Sequence, residues 1–64
     1  PFDALSARER AVASLVQRGL RNKEVASELG LTEGTVKVHL HKVFDKLGIR
    51  GRTELILLAQ ERGD

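Results

Sequence analysis

Sixty-four residues without a cysteine make one small domain, near the lower limit at which a chain supports its own core, and exclude disulfide staples and thiolate metal ligation. The net charge of +2 is unevenly placed: residues 34–52 hold Lys37, Lys42, Lys46, Arg50 and Arg52 against Asp45, while residues 53–64 hold Glu54, Glu61 and Asp64 against Arg62. No apolar run approaches the roughly 20 residues of a membrane span and no signal peptide is present, so a cytoplasmic chain is expected.

A basic segment beside an acidic end points to a polyanion partner, with a solvated helix face as the alternative. The chain opens on Pro1 and holds no Met. It is therefore read as a piece of a longer protein or as a processed chain.

The elements follow from their ends. In "LSARE", Ser6 is a good N-cap and Glu9 completes a capping box, predicting a first helix over 6–18 with Val12, Leu15 and Val16 on one face and Gly19 just past its end. A second helix is predicted over 22–29, with Asn22 as N-cap, Val25, Ala26 and Leu29 inward, and Gly30 as its stop. Thr32 caps a third over 33–47, where Glu33 suits the positive end of the helix dipole and Gly48 closes the element. A fourth is predicted over 52–62. The fold class is thus all-α, a compact four-helix domain over 1–64 with short connections.

The second and third helices have a telling spacing. Small Ala26 lies four residues before Gly30, which lets two helices approach closely, and branched Val36 lies six after it to fill the space between them. This is a helix-turn-helix arrangement, in which the second helix of the pair offers its free face to a major groove. A plain helical hairpin is the alternative.

At about 100° per residue, Val36, Leu40, Val43, Phe44 and Leu47 form one apolar stripe of the third helix. Gly34, Lys37, Val38, His41 and Asp45 lie opposite, with Lys42 at the edge. Lys37 can donate to guanine O6 and N7 or to a phosphate, and Val38 can meet a thymine methyl. His41 is a candidate for a base or phosphate contact. Lys42 and Lys46 lie nearer the phosphates, where they would position without specifying. Asp45 would repel a phosphate and is expected either to sit beyond the groove or to pair with a neighbouring base such as Lys42 or Lys46. His39 borders the stripe as a partly buried packing residue that could reach a phosphate. The two histidines point about 200° apart, which argues against a shared metal, and no nucleophile–base set can be assembled for catalysis. Neither a metal, a cofactor nor an enzymatic activity is expected.

Lys23, beside Arg21, stands at the start of the second helix, where free N–H groups already favour a phosphate; plain solubilising charge is the alternative. The fourth helix, "TELILLAQ", is too apolar for one face. Leu55, Ile56 and Ala59 close the core with Leu58 on their flank, while Leu57 turns toward water beside Thr53 and Gln60. A second copy laid against that side would set two reading helices about one turn of DNA apart.

"LSARE" together with "GLRNKEVASELGLTEGTVKVHLHKVFDKLGIRGRTE" resembles the LuxR-type, or GerE-like, helix-turn-helix domain of NarL/FixJ response regulators and quorum-sensing regulators. The resemblance covers about residues 5–60. It implies sequence-specific binding of bacterial promoter double-stranded DNA by the C-terminal effector of a transcription regulator, as a homodimer through Thr53, Leu57 and Gln60, with RNA polymerase a candidate further partner. By position it implies base reading by Lys37, Val38 and His41, and phosphate contacts at Lys23, Thr35, His39 and Lys42. His41 stands where relatives often have lysine, and Gly51 replaces the usual Asn or Ser cap of the fourth helix. A helical module that binds a protein partner through the fourth helix is the competing function.

Overall fold

The helices begin and end where side chains or glycines can replace missing backbone partners. The computed structural model describes residues 2–61, with α1 at Ala7–Gln17, α2 at Asn22–Leu29, α3 at Glu33–Leu47 and α4 at Arg52–Glu61. Arg62, expected to end the fourth helix, lies outside the described residues, as does Asp64.

Before α1, Phe2–Ala4 forms a 3₁₀ turn that the sequence reading did not foresee. Ser6 caps α1 as expected: its Oγ accepts from the Glu9 N–H at 3.1 Å, and Glu9 Oε1 accepts from the Ser6 N–H at 2.9 Å. Thr32 caps α3 in the same way, its Oγ1 accepting from the Thr35 N–H at 3.1 Å. Asn22 does not cap α2. Arg21 holds that place in extended conformation, its N–H donating to Glu24 Oε1 at 2.8 Å, and Asn22 is already helical. At α4, Gly51 offers no capping side chain, and Glu54 Oε1 instead accepts the Arg50 N–H at 3.1 Å.

Gly30 and Gly48 bracket the third helix. Both adopt left-handed φ, 68° and 67°, which a side chain would strain. Each lets the next residue turn back: the Leu31 N–H donates to the Ala26 carbonyl at 2.8 Å, and the Ile49 N–H to the Phe44 carbonyl at 3.0 Å. Leu31 and Ile49 then pack against the core, the apolar contact that accompanies this helix ending.

The core is assembled from the predicted stripes. Val12, Val16, Val25, Val36, Val43 and Leu55 are fully buried, each such burial contributing about 1.5–3 kcal/mol. Helix α3 packs against both α1 and α2, and α4 packs on α1. Gln17 reinforces the last contact by donating from Nε2 to the Leu55 carbonyl at 2.9 Å. Among the described residues no helix is long and apolar enough to cross a membrane. Helices α1 and α2, with the Phe2–Ala4 turn, hold one face of α3 and leave the opposite one bare.

Candidate nucleic-acid interface

That bare face carries the residues singled out in the sequence. Gly34, Lys37, Val38, His41, Lys42 and Asp45 are all exposed, while Val36, Leu40 and Val43 are buried on the other side. Val38 is 53% exposed and follows Lys37 on this face. The His41 ring lies 6.4 Å from that of Phe44, tilted by 50°, and the residue is exposed.

Two half-buried residues flank this surface. Thr35 Oγ1 accepts from the Thr32 hydroxyl at 3.0 Å, which leaves the Thr35 hydroxyl proton available to an outside acceptor. His39 has its Nδ1 enclosed without a hydrogen-bond partner, so only Nε2 can serve an outside group. Lys23 is exposed in the first turn of α2, with exposed Arg21 just before it.

The basic segment divides into two sets. Lys37 and Lys42 have no hydrogen-bond or ion-pair partner among the described residues. Lys46, expected near a phosphate, donates from Nζ to Glu9 Oε1 at 2.8 Å while its side chain stays 40% exposed, and no ion pair joins Asp45 to Lys42 or Lys46. The Lys46 hydrogen bond, with the Ser6 N–H at the same carboxylate, lowers the Glu9 pKa to about 2. Arg52 is likewise engaged inside the fold: Nη1 donates to Asn22 Oδ1 at 2.6 Å and Nη2 to the Leu20 carbonyl.

Neither internal contact was anticipated from the sequence. A signal for the first existed, since Glu9 shares the buried face of α1 with Val12, Ala13 and Val16, and a carboxylate placed there needs a partner. The Arg52 contact spans 30 residues to Asn22, and no local pattern encodes it.

On α4 the expected division holds: Leu55 is fully buried, Ile56 partly so, and Leu57 is 45% exposed beside exposed Thr53 and Gln60. Val38 and Leu57 are the large apolar side chains most open to solvent among the described residues, one on each of the two surfaces proposed for contact.

Residues 3–59 match the sequence pattern of the family described as "Bacterial regulatory proteins, luxR family". The chain belongs to that family. As a LuxR-family domain it is a DNA-binding unit of transcription regulation and not an enzyme. It is 47% identical over 62 residues to nodulation protein W of Bradyrhizobium diazoefficiens, a match covering 97% of this chain and 27% of that protein. It is 44% identical over 64 residues to the nitrate/nitrite response regulator protein NarP of Escherichia coli K12, covering 98% of this chain and 30% of the other. Among solved structures it is similar to the response regulator StyR, with a TM-score of 0.85 and 45% identity over 94% of this chain and 30% of that one. The LuxR-family chain therefore spans about three tenths of the length of these relatives.

Proposed function

We propose that this domain is the sequence-reading end of a bacterial transcription regulator, placing α3 in the major groove of promoter DNA. The observation that carries the reading is the outward face of α3, where Lys37, Val38 and His41 stand exposed on a helix whose other side is locked by Val36, Leu40 and Val43. A helix held this rigidly on one side presents its free side chains at fixed positions, as reading base edges requires. Lys37 and His41 supply polar contacts to bases, and Val38 supplies the apolar contact a thymine methyl prefers.

Around them Lys23, Thr35, His39 and Lys42 hold phosphates and set the register. Lys46 is left out of this set because Glu9 engages it. Two copies meet through Thr53, Leu57 and Gln60, which gives two reading helices for two half-sites. The remainder of such a regulator precedes this domain, and its work on promoters takes place in the cytoplasm, with RNA polymerase the next partner.

Selection of bound sequences from randomised duplexes at about 100 mM salt tests this reading. Enrichment of an inverted repeat with half-site centres about 10 base pairs apart is the expected result. A single enriched half-site would remove the α4 pairing, and no enrichment from a folded sample would overturn the reading of α3 and favour a protein partner. Leu57→Asp should leave the single copy folded while abolishing cooperative binding to paired half-sites.

A further inference from the structure

Helix α2 has eight residues, too few to hold a fixed position by its own hydrogen bonds. Its buried anchors, Val25 and Ala26, lie in its middle. The residues ahead of Val25 have no such anchor: Lys23 and Glu24 are exposed, Asn22 is half-buried, and Arg21 before them is exposed. The Arg21–Glu24 capping bond closes this end of α2 but does not tie it to another helix.

The guanidinium of Arg52 supplies that tie. It reaches Asn22 Oδ1 at 2.6 Å and the Leu20 carbonyl, the residues on either side of Arg21, the N-cap of α2. A planar fork with fixed donors can bridge two acceptors in this way, whereas a lysine ammonium on a flexible stem cannot hold both in one geometry. Arg52 is also the first residue of α4. Its side chain therefore ties the start of the helix that carries Leu57 to the start of the helix that carries Lys23.

We infer that Arg52, although part of the basic segment, does not contact the duplex but is a positioning residue that clamps the first turn of α2 so that Lys23 meets a phosphate. The inference rests on the phosphate role proposed for Lys23 and adds to it the residue that makes that role possible.

The test uses the 64-residue chain and the duplex enriched in the selection above, with dissociation constants measured from about 50 to 200 mM salt. Arg52→Lys keeps the charge and loses the fork. Asn22→Ala removes one of the two bonds from the other end and leaves the Leu20 carbonyl bonded, so it provides a folded variant should Arg52→Lys fail to fold. Each is expected to weaken binding by no more than Lys23→Ala does, about two- to threefold, with unchanged base preference, and to lower the salt slope by up to about one unit. In a Lys23→Ala background neither should weaken binding further. Losses that multiply with that of Lys23→Ala, or an unaltered salt slope, would overturn the inference, because a general loss of stability would act independently of Lys23. Unchanged affinity in both variants would also overturn it. If Lys23→Ala alone left affinity unchanged, the phosphate role of Lys23 would fall and the clamp's function with it, an outcome distinct from a failure of Arg52 alone.

Discussion

Lys42 and Lys46 lie one turn apart on α3, yet Lys42 is exposed with no internal partner while Lys46 meets Glu9 at 2.8 Å. The same contrast separates Lys37 from Arg52, which is held by Asn22 and the Leu20 carbonyl. In the sequence these four cations form one basic stretch. In the fold they are two groups: an outward group that faces solvent and can exchange it for a duplex, and an inward group that joins α3 to α1 and α4 to α2. A count of positive charge therefore overstates what is available to DNA. The two groups should also respond differently to pH, salt and substitution.

Acid should have the largest effect, and on the inward group. The Glu9 pKa is held at about 2 against an ordinary 4.5, first by the Lys46 hydrogen bond and then by that of the Ser6 N–H. A carboxylate with a depressed folded pKa contributes stability that is fully present above its unfolded pKa and is lost as pH falls through the folded one. Stability from this site should hold above about pH 4.5 and decline toward pH 2. Urea midpoints measured across that range should show the loss, and Glu9→Gln should remove this part of the acid dependence. A Glu9→Gln profile parallel to that of the unsubstituted chain would leave the pair without the weight given to it.

Lys37→Ala probes the outward group. Loss of a direct base contact is worth about 1–3 kcal/mol of discrimination, so binding should weaken about tenfold or more and base preference should relax at one position per half-site. Folding stability should change by less than about 0.5 kcal/mol, since the side chain is exposed and unpaired. An unaltered preferred sequence would take Lys37 out of the reading set.

A smaller change is expected for Lys23→Ala, which should weaken all duplexes alike by a few-fold and leave preference intact. Any shift in preferred sequence would contradict its assignment to a phosphate. The smallest effect belongs to Gly51→Ser, which supplies the capping hydroxyl that α4 lacks and should raise stability by a few tenths of a kcal/mol without changing DNA binding. Thermal melts of the free domain would detect the gain. A loss of DNA affinity would show that the turn around Arg52 had been displaced.

Much of this was legible from local chemistry. The bounds of α3 follow from the Thr32 cap and the left-handed Gly48, and its two faces follow from the spacing of Val36, Leu40 and Val43. The buried and open sides of α4 were equally readable from Leu55 and Leu57. Apart from the short Phe2–Ala4 turn, what escaped reading depends on partners distant in sequence. Asn22 has the side chain of an N-cap, but its oxygen is occupied by Arg52, so the cap moves to Arg21 and Glu24 supplies the bond. Lys46 is an exposed helix cation, but α1 brings Glu9 alongside it. Periodicity ranks residues by the face they occupy and does not say which cations already have a carboxylate.

The most direct measurement is the salt dependence of duplex affinity for the unsubstituted chain, Lys42→Ala and Lys46→Gln, side by side. If outward cations meet the duplex and inward ones hold the fold, Lys42→Ala lowers the slope of log affinity against log salt by about one and Lys46→Gln leaves it unchanged. Equal reductions in both variants, or a reduction confined to Lys46→Gln, would contradict the division between the two groups.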